Sequence, residues 1–244
     1  MTTDHGLNKP LGMKAYGHIP HLPGSRLTQG DHLCTPEQAD IATVKARDEY
    51  DRVSVTVKLD GSCVAVANID GMIVPLIRSG CVATASKYEQ HQLFAQWVYE
   101  NQGRFLTVLK DGERFVGEWL AQAHGTRYNL THEPFVPFDF MVGNQRATIA
   151  ETIYIAESVG LPSPYLLWFR AGESFSLNAA IKALAIPHHG ELDPVEGAVW
   201  RVERHRKFDF ICKWVRPNKI DGKYLVSGEP IWNWRPPHPP GPDG

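Results

Sequence analysis

The sequence predicts an α+β protein built mostly of antiparallel sheets with helices on the outside. Three observations carry that expectation. Val53 to Val66 (VSVTVKLDGSCVAV) alternates apolar and polar residues up to its glycine, the period of a half-buried strand. Hairpin signals such as Asp70-Gly71 join short β-rich runs. The helical stretches between them are short and bounded by start and stop residues.

The bulk properties fit a globular chain. Its 244 residues, 43% hydrophobic and 21% charged, suffice for one large domain or two small ones. No apolar run approaches the roughly 18 residues that span a bilayer. The N-terminus, MTTDHGLNKPLGMK, lacks the apolar core of a signal peptide. Cys34, Cys63, Cys81 and Cys212 form no C-x-x-C pair, and the eleven histidines show no metal-ligand spacing. A reduced, cytoplasmic protein without structural zinc is expected.

In chain order, residues 1–35 are rich in Gly, Pro and His and read as an extended segment wrapping the core. A helix within Pro36 to Tyr50 starts from Thr35 as N-cap, with proline at its first position. The strand before Gly61 places Val53, Val55, Val57 and Leu59 on one face, and Ser54, Thr56, Lys58 and Asp60 on the other. Strands near Val64–Ile69 and Met72–Arg78 follow, Pro75 marking the latter as an edge strand. Ser86-Lys87-Tyr88-Glu89 reads as a capping box opening a helix that buries Leu93, Phe94, Trp97 and Val98. Strands return at Arg114–Leu120 and Phe135–Val142. A helix from about Thr148 buries Ile149, Ile153 and Ala156 and stops at Gly160. A strand near Tyr165–Phe169 and a helix near Ser176–Leu184 precede two last strands, Gly197–Glu203 and Asp209–Val215. The expected division is a domain over 1–229 and a proline-rich tail over 230–244, disordered at its end.

Polar clusters recur at strand ends: Lys58-Leu59-Asp60-Gly61-Ser62, Arg78-Ser79-Gly80, Phe115-Val116-Gly117-Glu118-Trp119, Phe135 to Phe140, Glu196 to Arg201, and Cys212 to Arg216. Singly, Glu118 or Glu196 reads as a surface carboxylate and Phe138 as a core residue. The ordered set resembles the covalent lysine nucleotidyltransferases, which comprise RNA and DNA ligases and mRNA-capping enzymes, and most closely the ATP-dependent RNA ligase branch. The match runs from Lys58 to Lys213.

The resemblance implies a nucleotidyltransferase (adenylation) domain and a role for each residue. Lys58 is the nucleophile that forms lysyl-AMP from ATP, and Arg78 holds the nucleotide near phosphate and sugar. Glu118 lies near the ribose or metal, and Phe138 stacks on adenine. Glu196, with Asp60, holds Mg²⁺ (or Mn²⁺), a hard cation suited to carboxylate and phosphate oxygens. Lys213 neutralises phosphate charge during in-line transfer. AMP passes to a 5′-phosphate RNA end, and a 3′-hydroxyl displaces it to seal the strand. Arg201 to Lys223 carries eight basic residues against three acidic ones. Arg201, Arg204, Arg206, Lys207 and Arg216 are therefore expected to hold the nucleic-acid backbone.

The chain departs from the family pattern in three places. The lysine pair of the last motif is reduced to Lys213, flanked at two residues by Ile211 and Val215. About thirty residues follow, too few for the OB-fold or helical module many relatives carry, so a protein partner is expected to replace it. A second K-x-D-G at Lys219-Ile220-Asp221-Gly222 lies beyond the other motifs and reads as a coincidence. The rival readings are a GTP-using capping-type enzyme, a DNA ligase, and a non-catalytic nucleic-acid-end binder.

Overall fold

The computed structural model describes residues 9–226 and 228–236. Two antiparallel sheets make up its framework. The chain runs α1 (Pro36–Thr43), β1 (Asp51–Lys58), β2 (Ser62–Ile69), β3 (Met72–Ile77), α2 (Glu89–Glu100), α3 (Gln102–Leu106), β4 (Glu113–Trp119), β5 (Phe135–Val142) and β6 (Gln145–Arg146). It continues through α4 (Ile149–Ser158), β7 (Leu166–Ala171), α5 (Leu177–Ala183), β8 (Gly197–Arg204) and β9 (Lys207–Val215). One sheet has the order β7-β1-β8-β9 and the other β3-β2-β4-β5-β6. The chain crosses between them at Leu59-Asp60-Gly61, so the end of β1 and the start of β2 meet at a cleft between the sheets.

The alternation of β1 survives in space. Val53, Val55, Val57 and Leu59 are all buried, the first two against α1 and α5 and the others against Leu120, Tyr128, Val136 and Val195. Ser54, Thr56, Lys58 and Asp60 line the cleft. The second sheet packs one face on α2 and α3 through Phe94, Trp97, Phe105, Phe115, Trp119 and Phe135. β3 is an edge strand, as Pro75 demands, since a residue without an N–H cannot donate to a ladder on both sides. Asp70 and Gly71 take φ of 51° and 78°, the left-handed pair of a tight hairpin.

Thr35 caps α1 in a full capping box with Gln38, a contact of about 1 kcal/mol. The helix ends at Thr43 and does not extend toward Tyr50, because Arg47 and Asp51 pair to shape the following turn. Thr148 and Glu151 form the same box at α4, where Thr152 takes the buried place expected of Ile153. The box expected at Ser86 is absent. Tyr88 is the N-cap of α2 and makes no side-chain cap bond, while the Ser86 hydroxyl pairs with His91 Nδ1 at 2.7 Å.

The N-terminal segment wraps the core and also extends it. Ala15 and Tyr16 pack on the second sheet. Further on, Lys213 N–H donates to Pro20 O (2.9 Å) and Leu22 N–H donates to Lys213 O (2.7 Å), which covers the edge of β9. At the other end Trp232 and Trp234 pack against the Trp119 cluster, so the chain beyond Glu229 is anchored through Trp234. The expected disorder of the tail's end concerns residues outside those described. Among the described residues no OB-fold follows β9, and no helix is long and apolar enough to cross a membrane.

Candidate nucleotide-transfer site

The cleft between the sheets has a volume of about 540 Å³, within the range of small-ligand sites. Lys58, Asp60, Arg78, Glu118, Phe138, Glu196 and Lys213 all line it. Backbone register brings them there. Lys58 ends β1 opposite Gly197, which places Glu196, one residue earlier, beside it. Cys63 pairs with Glu118, and Val199 with Lys213.

One end of the cleft is ionic. Lys58 Nζ donates to Glu196 Oε2 at 2.7 Å. Burial lowers the pKa of the Lys58 ammonium, but the charges of Glu196, Glu118 and Asp60 outweigh it and hold the group above its ordinary range. Burial pushes the Glu118 carboxyl up to about 7 against the pull of Lys58, and the charge of Glu196 adds to the rise. Gly61 N–H donates to Glu118 Oε1 at 2.9 Å. Gly61 itself is required by close approach: a Cβ there would lie 2.4 Å from the Trp119 carbonyl oxygen. Burial, helped by repulsion from Lys58, brings Lys213 down to about 8.

The other end is apolar. Phe138, Ile19, Ile149, Val199 and Ile211 form a slot suited to a flat ring. Tyr16 supports Phe138 edge-on, with ring centroids 5.2 Å apart. Behind Phe138 lies Asp139, fully buried, on which Tyr16, Arg146 and Arg201 converge. Arg201 belongs to the first sheet's β8 and Asp139 to the second sheet's β5, so this cluster joins the two sheets at the floor of the cleft.

Two sequence expectations are corrected here. Arg201 is 3% exposed and committed to Asp139 and Ala147 O, which withdraws it from any external polyanion. Arg204 is also engaged, with Asp48 and Asp51. Arg216 bonds Val195 O and Asn218, leaving Arg206 and Lys207 exposed at the hairpin tip. The second concerns Lys219, whose K-x-D-G read as a coincidence but whose side chain lies in the cleft. The turn after β9 returns it to the cleft, 8% exposed, with Nζ 2.9 Å from Asp60 Oδ1 and 2.5 Å from Glu196 Oε1. Its K-x-D-G pattern was the available signal. The pairing of Asp139 with Tyr16 gave none, since it spans 123 residues.

The RNA ligase family model matches residues 51–215, more than half of the chain and every strand of the two sheets. The chain belongs to the RNA ligase family. No curated protein matches the sequence. Among solved structures, this RNA ligase family member is similar to an archaeal ATP-dependent RNA ligase at 20% identity and a TM-score of 0.49, over 80% of this chain and 48% of that one. It is similar to the Naegleria gruberi RNA ligase with PPi at 20% identity and a TM-score of 0.51, over 68% and 50%. A point variant of that ligase with ATP and Mn gives 16% identity and a TM-score of 0.51, over 81% and 59%. The chain thus spans about half the length of the solved structures it matches, and the likeness to the Naegleria ligase shows a shared fold.

Among the described residues no three metal-ligating side chains converge on one point. Asp60 and Glu196 nevertheless fit a divalent cation, because their oxygens already flank the Lys219 ammonium as a stand-in cation. Two carboxylates completed by phosphates and water are an ordinary magnesium set.

Proposed function

We propose that this protein is an ATP-dependent RNA ligase whose Lys58 carries the nucleotide. Lys58 Nζ, after losing a proton, attacks the α-phosphorus of ATP. The P–N bond forms as the bond to the β-phosphate's bridging oxygen breaks, giving lysyl-AMP and pyrophosphate. The AMP phosphorus is then attacked by an oxygen of an RNA 5′-phosphate, which frees Lys58. A 3′-hydroxyl finally attacks that 5′-phosphate, joins the ends and expels AMP.

The observation that carries this reading is the placement of Lys58 against Glu196 at the crossover of the two sheets, with Arg78, Glu118, Phe138 and Lys213 lining the same cleft. Phe138 and the isoleucines take the base, Glu118 the ribose, and Lys213 with Arg78 the phosphates. Asp60 and Glu196 would hold Mg²⁺ or Mn²⁺, which when bound supplies charge to the phosphates and offsets the carboxylates that keep Lys58 protonated. The Naegleria gruberi RNA ligase solved with PPi, and its variant solved with ATP and Mn, support the choice of ATP and a divalent metal. RNA is supported by family membership, and the exposed Arg206 and Lys207 would track its phosphates.

The test is covalent labelling. Protein freed of pre-existing AMP is incubated with Mg²⁺ and α-labelled ATP or GTP, then denatured. Label from ATP that Lys58→Ala abolishes is the expected result. Label from GTP would shift the protein to the capping class. Absence of label with retained RNA-end binding would make it an end binder.

A further inference from the structure

Lys219 lies outside the segment matched by the family model, yet no side chain is more central to the ionic half of the cleft. Its backbone is fixed by the turn after β9, where Lys219 N–H donates to Arg216 O at 3.2 Å and Arg216 N–H donates to Glu196 O at 3.0 Å. Asp221 of the same turn pairs with Arg26 of the N-terminal segment at 2.5 Å. The ammonium therefore arrives on a tethered backbone rather than on a loose surface loop. It bridges Asp60 Oδ1 and Glu196 Oε1 while Lys58 takes Glu196 Oε2 and Gly125 N–H takes Asp60 Oδ2. No cation can occupy the point between Asp60 and Glu196 while Lys219 is there.

We propose that Lys219 is a resident cation of the Asp60–Glu196 carboxylate pair, a positioning residue that yields its place to the divalent ion. The inference rests on the reading of Asp60 and Glu196 as metal-holding. Without a cation, two buried carboxylates facing one point repel and swing apart or take up protons. Lys219 keeps them aligned and preorganised before metal arrives. Because ammonium and metal compete for the same two oxygens, Lys219 also sets the metal affinity of the empty cleft. Its long unbranched stem allows the head group to withdraw with no change in the backbone.

The experiment measures Mn²⁺ binding to the full chain without nucleotide, by the electron paramagnetic resonance of free Mn²⁺. Wild type, Lys219→Met, Lys219→Gln and Glu196→Gln are compared. Removing a competing unit charge within 3 Å of both ligand oxygens is expected to tighten Mn²⁺ binding by about tenfold or more. Glu196→Gln should lose it. Unchanged or weaker binding by both Lys219 variants, with Glu196→Gln still defective, overturns the role of Lys219 alone. Equal Mn²⁺ binding by Glu196→Gln and wild type removes the metal from this pair, and the inference with it.

A readout on the wild type covers the case in which the variants fold poorly. Mass spectrometry after amine acetylation should show low Lys219 labelling in the free protein and a several-fold rise with saturating Mn²⁺. Saturation without that rise would overturn the displacement.

Discussion

The ion cluster under Phe138 is expected to decide whether the cleft exists. Asp139 is wholly buried and receives Arg201 from the other sheet, Arg146 from the second sheet's edge and the Tyr16 hydroxyl, the last at 2.8 Å. Asp139→Asn preserves shape and one acceptor but removes the only carboxylate these guanidiniums pair with among the described residues. Their side chains are 4% and 11% exposed, so water compensates little. Breaking a buried pair from one side costs about 3–5 kcal/mol. Against a typical total of about 5–15 kcal/mol this is a large share. For a domain of this size it corresponds to a fall in Tm of about 6–20 °C. Urea unfolding of wild type, Asp139→Asn and the double variant Asp139→Asn/Arg201→Met measures it. The double variant should recover part of the loss, because it no longer buries an unpaired Arg201. A loss below about 1 kcal/mol for Asp139→Asn would refute the reasoning, since it would mean that the guanidiniums find other partners.

Three further outcomes follow from the geometry. Burial raises Glu118 from the ordinary carboxylate value to about 7, so its contribution to stability is full below about pH 4.5 and is lost as pH rises through 7. Glu118→Gln should therefore be favoured over wild type by about 1–3 kcal/mol more at pH 8 than at pH 5, read from urea midpoints at the two values. A Cβ on Gly197 would lie 1.8 Å from the Trp214 carbonyl oxygen, so Gly197→Ala must part β8 from β9 next to Lys213. It should cost more than about 2 kcal/mol by the same assay and lower the yield of labelled Lys58. The Arg206–Lys207 tip stands about 23 Å along β8 from the Lys58 end, at roughly 3.3 Å per residue. Replacing both by Ala should reduce the salt slope of RNA binding by about 2 while leaving Lys58 adenylation intact, measured by filter binding across a salt series.

The elements that could be read from sequence were those whose cause is local. The period of β1, the Asp70-Gly71 turn, the edge position imposed by Pro75 and the cap at Thr35 each depend on a few adjacent residues. The order of the motif clusters anticipated which side chains line the cleft, since each sits at a strand end that the sheet order brings to one place. Ser86 shows where local pattern stops. It has the residue types of a capping box, but His91 from the first turn of α2 takes its hydroxyl. Asp139 was hidden in the run FVPFDF, which looks apolar on both faces, because its partners come from another sheet and from the N-terminal segment. The basic stretch from Arg201 misled for the same reason. Register alone separates buried Arg201 from exposed Arg206.

On the proposed function, the charge arrangement of the cleft would also keep the Lys58 nucleophile unreactive in the free protein. An unprotonated, buried amine would be open to any electrophile, and burial by itself drives Lys58 toward that state. Glu196, Glu118 and Asp60 reverse this and keep the ammonium charged. The same carboxylates would repel a triphosphate, so Lys213, Arg78 and Lys219 must offset them from the other walls. Glu196 is the hinge of this balance because it bonds Lys58 through one oxygen and Lys219 through the other. Whatever cation takes that carboxylate loosens its hold on Lys58. On the proposed function, nucleotide entry and release of the nucleophile would then be linked through Glu196, the residue before the glycine that opens β8.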